Sequence, residues 1–275
     1  MERNDKRTVA TWRAMMMVGA GAVWLALTGV AGRAAEGLRE MTTDRPDATE
    51  SPFTVNPGYV QLEMDIVNFG RERESGDEVE EWEAAPFNLR FGIMENFELG
   101  IFVVPFRSVT EKPAAGPRVR SEGWGDPVLR AKWNFFGNDE GDVALGLISD
   151  VKVPIGEREV SNREWEGAVM LPVSFEIGGG WEGAAMTGVE MVYSDAGEHR
   201  AVWSNTVTAG RAIAEKLGMF FELTSSMGDG RHVATGNVGF TFRVQENLQY
   251  DAGVNLGLTD AATDALVFVG MARRW

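Results

Sequence analysis

Four charged residues lie within a stretch of seven positions near the start of the chain: Asp44, Arg45, Asp47 and Glu50. Carboxylates and a guanidinium at this spacing could contact a polar ligand or act as a gate. The same groups could also hold a lead-in segment by local hydrogen bonds, and both interpretations stay open. Because prolines are interspersed with these residues, the run is predicted to be extended but not paired as a regular strand.

A second set of charged residues recurs at alternate positions along apolar runs. Such alternation places them on one face of a strand, opposite the large apolar side chains. The mixture of signs could line a water-filled interior that selects permeants, or could simply keep that interior polar. The members of this set are Glu63, Asp65, Arg90, Arg130, Lys132, Asp150, Lys152, Glu176, Glu190, Glu222, Arg243 and Asp251.

Residues for catalysis or metal binding are scarce. The chain has no Cys and two His, and His199 and His232 are predicted to lie in a loop and at a strand mouth with no Ser beside either. Neither a G-x-S-x-G motif nor a phosphate-binding loop occurs. We therefore predict no catalytic residue, no cofactor and no metal site. The formal net charge of -15 argues against a nucleic-acid partner.

The elements that carry these residues are best seen in the last hairpin. Between Leu248 and Leu258 every second residue is apolar, and the intervening residues are polar or Gly. Glycine fills no core, so the small and polar face suits a watery lumen and the apolar face suits lipid. This pattern predicts a transmembrane β-strand.

The same alternation, counted along the chain, predicts twelve strands joined by connections that mostly alternate between long and short. An even count with both ends on one side is typical of an antiparallel up-and-down barrel of the bacterial outer membrane. Residues 70–81 are predicted as a charged loop and residues 107–123 as the longest loop. Aromatic residues on the apolar face near the short turns are predicted to form an interfacial belt, namely Phe97, Phe135, Trp181, Phe242, Tyr250 and Trp275.

The chain is expected to divide into three parts. Residues 1–35 have the basic start, the uncharged run and the small residues of a signal peptide, with a retained helical anchor as the alternative. An extended segment, 36–57, then precedes a barrel, 58–275. Since a twelve-stranded barrel encloses less room than larger porins, residues 42–54 are predicted to fold into it as a plug.

Sequence motifs at the start of the mature chain carry a family resemblance. The run Thr-Asp-Arg-Pro-Asp-Ala-Thr-Glu-Ser-Pro at 43–52, followed by Pro-Gly-Tyr-Val-Gln-Leu-Glu at 57–63, resembles the family named for the MetA pathway of phenol degradation. The resemblance continues through Gly-Trp-Gly-Asp at 123–126 and the final hairpin. It implies an outer-membrane β-barrel transporter. One departure is Arg273, which stands where barrel C-termini usually carry an apolar or aromatic residue.

These observations predict an outer-membrane channel that contacts lipid and passes a small-molecule permeant by diffusion. By resemblance the permeants are aromatic or other hydrophobic catabolic substrates. The alternatives are a structural barrel, a barrel that acts on lipids, and a soluble ligand-binding barrel with its two faces inverted. No residue pattern identifies a protein partner.

Overall fold

The computed structural model describes residues 38–275 except residues 75, 140 and 195, and the predicted signal peptide therefore lies outside the described residues. These residues include no helix long and apolar enough to cross a membrane. They form fifteen strands: β1 (Val60–Glu74), β2 (Asp77–Ala84), β3 (Phe87–Met94), β4 (Phe97–Val103), β5 (Phe106–Lys112), β6 (Val119–Gly123), β7 (Val128–Phe136), β8 (Val143–Lys152), β9 (Glu166–Gly178), β10 (Trp181–Tyr193), β11 (His199–Ala214), β12 (Leu217–Gly228), β13 (Arg231–Gln245), β14 (Leu248–Gly257) and β15 (Ala265–Arg274).

Twelve of these strands close into an antiparallel barrel. Strands β7 to β15 pair in chain order, β4 and β3 continue the sheet from β7, and β1 joins β3 to β15. The closing register sets Gln61 opposite Arg274 and Met64 opposite Met271. The predicted fold class and strand count are therefore confirmed.

The other three strands extend the sheet beyond the barrel on one side. Strands β2, β5 and β6 are separated from β3, β4 and β7 by short breaks that contain Pro86, Pro105 and Pro127. Proline interrupts the ladder because it has no backbone N–H to donate. The predicted loops at 70–81 and 107–123 were thus wrong, since β1 continues to Glu74 and both stretches contain paired strands. The charged residues on both faces of β2, β5 and β6 are compatible with a sheet extension that is exposed to water.

The two ends of the barrel differ in their connections. At one end, here called the turn end, short turns join β3 to β4, β9 to β10, β11 to β12 and β13 to β14. The chain start of β1 also lies there, and Val60 and Trp275 exchange backbone hydrogen bonds of 3.1 and 2.9 Å. The opposite end, here called the loop end, carries the 153–165 connection and the sheet extension.

The outward face of the barrel is apolar along its height. Leu129, Val207, Leu223, Phe240 and Leu256 each expose between 45 and 57 % of their surface. So much contiguous apolar surface is incompatible with water and suits hydrocarbon. The inverted, soluble barrel is therefore excluded by the direction of these side chains.

The predicted belt residues lie near the turn end. Phe97 packs edge-on against Trp133, with ring centroids 6.4 Å apart, and Trp133 contacts Phe135. The other members are Trp181, Phe242, Tyr250 and Trp275. Arg273 stacks over the Trp275 ring at 5.1 Å, so the basic residue at this unusual position contacts an aromatic neighbour. Membership of an interfacial belt stays a prediction.

Candidate functional site

Residues 38–57, here called the inner segment, lie against the inner face of the barrel. The segment has no regular secondary structure, so its backbone N–H groups need other partners. Glu63 accepts from Asp44 N and Arg45 N at 2.9 and 3.1 Å, and Glu98 accepts from Val55 N at 2.7 Å. Inward-facing carboxylates of the strands thus replace the missing backbone ladder.

Across the barrel, Glu222 of β12 binds the middle of the inner segment. Its carboxylate accepts from Ala48 N at 3.0 Å, and from both Thr49 N and Thr49 Oγ1 at 2.6 Å. Thr49 Oγ1 also lies 2.8 Å from Thr206 Oγ1 on β11. The segment is therefore fixed to opposite walls and crosses the interior.

Asp44 is the centre of the largest ion-pair cluster. It pairs with Lys132, lies 3.4 Å from Arg90 and lies 3.8 Å from Arg130. Burial alone would raise the pKa of Asp44, but the three cations outweigh burial and lower it. Asp44 is therefore held as a carboxylate.

Arg90 connects this cluster to the wall carboxylates and to the inner segment. The guanidinium is fully buried and pairs with Glu63 at 2.6 Å and Glu98 at 2.8 Å. It also donates to the Phe53 carbonyl at 3.0 Å. Buried charges of this kind are tolerated only when their hydrogen bonds are satisfied.

Arg45 forms a second cluster with the strands that close the barrel. It pairs with Asp65 of β1 and, at 2.7 Å, with Asp251 of β14. A side chain at Gly270 on β15 would overlap the Arg45 guanidinium. Gly92 likewise has no room for a Cβ, because the carbonyl oxygens of Val55 and Asn56 lie against it. These inward glycines are required by the close approach of the inner segment.

Glu50 reaches the third cluster, on β7 and β8. Its Oε1 accepts from Arg130 at 2.7 Å, and Arg130 also pairs with Asp150 at 2.8 Å. Glu50 Oε2 is buried and receives no hydrogen bond within the described residues. Burial raises the pKa of Glu50 to about 8.

The structure brings most of the predicted inward residues to the inner segment, whereas Lys152, Glu176 and Glu190 lie elsewhere. Lys152 lies near the loop end, 2.7 Å from Glu166 and 3.6 Å from Asp126. Glu190 is buried on β10 opposite Ala168 and Val202. Glu176 is exposed, and Arg243 pairs with Glu40 at the turn end. The residues that contact the inner segment are Glu63, Asp65, Arg90, Arg130, Lys132, Glu222, Arg243 and Asp251, with Asp150 behind Arg130.

Part of the interior is apolar, which the alternation rule did not predict. Ile148, Met170, Met186, Val192 and Val202 face inward and pack together with Ala168, Val233 and Ala262. Each is at most 6 % exposed. In the sequence these residues keep the inward phase of β8 to β11, so the signal was present as apolar residues on both faces of the same strands.

A cavity of about 480 Å³ remains between the inner segment and the wall formed by β8 to β14. It reaches the turn end, where Glu40, Asp142, Glu176, Glu182 and Arg243 line it. Asp47, Thr49 and Glu50 line it on the segment side. The interior is thus narrowed at this end by the segment and still contains open space.

One prediction about the surroundings of the two histidines was wrong. His232 Nε2 lies 3.0 Å from Ser225 Oγ on the outward face of β12 and β13, although no Ser was expected beside a His. The two are diagonal neighbours across an antiparallel pair, a relation that strand assignment alone does not reveal. Among the described residues no hydrogen bond joins the second ring nitrogen to a carboxylate, so the pair lacks the third member of a hydrolase triad.

Fold and site together define a transmembrane β-barrel of the kind found in bacterial outer membranes, with its own N-terminal segment bound inside. The chain belongs to the family described as the MetA-pathway of phenol degradation, whose model matches residues 43–275. That match covers residues 43–57 of the inner segment as well as the barrel.

Solved structures of similar fold include an outer-membrane channel and a porin. The COG4313 outer membrane channel from Pseudomonas putida F1 matches with a TM-score of 0.60 and 11% identity, over 84% of this chain and 99% of that one. The NanC porin matches with a TM-score of 0.51 and 7% identity, over 77% and 98% of the two chains. No curated protein sequence matches the chain. At these identities the likeness concerns the fold.

Proposed function

We propose that the protein is a passive outer-membrane channel for small molecules, and that residues 42–54 are its plug. The observation that carries the proposal is the way in which the inner segment is held. Among the described residues it contacts the wall through side chains and ion pairs and shares no strand ladder with it. Such contacts can be exchanged for water without opening the barrel, because the sheet is closed by β1 and β15.

Deletion of residues 42–54 tests the plug. We expect a several-fold rise in single-channel conductance in planar bilayers, because the deletion empties the turn-end half of the interior. Retained heat-modifiable migration on gels would establish that the deleted protein still forms a barrel. A folded deletion variant with the conductance of the full chain would contradict the proposal.

A single substitution tests the same point without shortening the chain. Asp44→Arg places a fourth cation beside Arg90, Arg130 and Lys132, so repulsion should release the inner segment and increase the time spent in the open state. Asp260→Arg changes the net charge equally in an exposed loop and serves as the matched control. Equal effects of the two substitutions on channel recordings would remove the assigned role of the Asp44 cluster.

The proposed permeants are aromatic or other apolar small molecules. This part of the proposal is supported by family membership and by the inward-facing apolar residues around Met170 and Met186. Liposome uptake of charged, neutral and aromatic solutes of similar size would measure the preference. Faster uptake of hydrophilic solutes than of aromatic ones would contradict it.

A further inference from the structure

The cavity at the turn end is strongly unbalanced in charge. Six carboxylate side chains line it, those of Glu40, Asp47, Glu50, Asp142, Glu176 and Glu182, and Arg243 is the one cation among its lining residues. Arg243 is paired with Glu40. Glu50 is paired with Arg130, whereas Asp142, Glu176 and Glu182 are exposed and give the mouth of this space a negative potential.

Two of these carboxylates face each other directly. Glu176 on β9 and Glu182 on β10 are cross-strand partners, and no ion pair to either is found among the described residues. Like charges placed opposite each other destabilise a sheet pair. A cation between them would remove that cost.

The deeper part of the cavity contains two further carboxyl groups, those of Asp47 and Glu50. Glu50 is 6 % exposed, lines the cavity, and its Oε2 has no hydrogen-bond partner among the described residues. Burial and the charge of Glu222 raise the pKa of Asp47 well above its ordinary value. Burial also raises the pKa of Glu50 to about 8, so these two deep groups favour the neutral carboxylic acid, and the negative charge of the cavity is concentrated at its mouth.

The wall between mouth and base also offers apolar surface. Met41 is buried at 3 % exposure, Phe220 at 6 %, and both line the cavity together with Phe53. A volume of about 480 Å³ lies within the range of small-molecule sites. A ligand that complements both the carboxylates and the apolar side chains of this cavity would have an ammonium group and a short apolar body.

We infer that the turn-end cavity is a binding site for small organic cations, specifically amines that carry an aromatic or aliphatic body. The inference rests on the proposed channel function and names the charge class that the channel prefers. The carboxylates of Glu176 and Glu182 receive the ammonium group at the mouth, and Phe53 and Phe220 contact the apolar body. Anions of the same shape are repelled.

Binding of three matched probes to the full chain in detergent micelles tests the inference. We expect 2-phenylethylamine to bind more tightly than 2-phenylethanol, and phenylacetate to bind most weakly, by isothermal titration calorimetry. The double substitution Glu176→Gln and Glu182→Gln should weaken amine binding about tenfold, which corresponds to loss of near-surface ion pairing. Binding of 2-phenylethanol should stay unchanged.

The matched control removes two carboxylates at the opposite end of the barrel. Glu159→Gln with Glu198→Gln changes the net charge equally at exposed loop-end positions and should leave amine binding unchanged. Equal affinity for the amine and the carboxylate probe would overturn the inference. So would an equal loss of amine binding in both double variants, since bulk charge would then be the cause.

The channel proposal fails on a different measurement. If the 42–54 deletion variant does not conduct but the full chain binds the amine selectively, the site stands and the channel function falls. If that variant conducts and the full chain shows no preference among the probes, the cation site falls and the channel stands.

Discussion

The two sides of the barrel interior bury different kinds of side chain. On the side formed by β1, β3, β4 and β7, inward charges such as Arg90, Lys132 and Glu98 are almost fully buried, and they pair with one another and with the inner segment. On the side formed by β9 to β11, Met170, Met186 and Val202 pack against other apolar residues. The buried charges on the first side therefore depend on the inner segment for part of their ion pairing, and the apolar side chains on the second side do not.

This difference follows from the cost of burying charge. A buried ion pair gains little net stability because desolvation offsets its attraction, but loss of one partner leaves an uncompensated charge. Loss of an apolar side chain costs only its own burial and the cavity that remains. The two sides should therefore respond differently to truncation.

The largest effect is expected for Arg90→Ala. It removes the cation shared by Glu63, Glu98 and Asp44, and should lower the free energy of unfolding by about 3–5 kcal/mol. Urea unfolding in lipid vesicles, followed by tryptophan fluorescence, measures the loss. Arg120→Ala, which removes an exposed pair with Glu122, should change it little. Similar losses of unfolding free energy in the two variants would contradict the special cost assigned to the buried charges.

A smaller effect is expected for Met170→Ala on the apolar side. The side chain is fully buried in the inward-facing apolar cluster, so truncation should cost about 3 kcal/mol. Because the inner segment is held elsewhere, channel recordings should remain those of the full chain. Met191→Ala, on the outward face, is the control and should cost less in the same unfolding assay. A change in conductance with Met170→Ala would show that the two sides are coupled.

The smallest effect is expected for Asp47→Asn. Burial and the charge of Glu222 raise the pKa of Asp47, so the folded state holds its proton more tightly than the unfolded state. That contribution to stability is present at low pH and is lost as the pH rises from about 3.8 towards the raised value. The amide keeps a similar shape without titrating.

Unfolding measured from pH 4 to pH 8 tests this assignment. Asp47→Asn should change stability by less than about 1 kcal/mol near pH 4 and should reduce its decline at higher pH. Asp44→Asn should destabilise the protein across the whole range, because Asp44 is held as a carboxylate by three cations. The reverse order of the two variants would contradict the assignment.

The sequence predicted the barrel well because its main signal is local. Side chains alternate between the two faces of a strand, so a period of two identifies both the strand and its lipid-facing side without knowledge of any neighbour. Leu223 and Leu256 could be assigned outward from such runs alone. The charged strands β2 and β5 were missed for the same reason, since a sheet in water needs no apolar face and therefore gives no such period.

The sequence alone thus determined the family and the twelve-stranded barrel, and it predicted which charged residues face inward. Only the tertiary structure decided which charges meet, because Arg90 and Asp44 lie 46 positions apart and Arg45 and Asp251 lie 206 apart. Pairing at such separations depends on barrel closure and on the path of the inner segment. Barrel closure and the path of the inner segment depend on the whole folded chain, so no local sequence pattern predicts them.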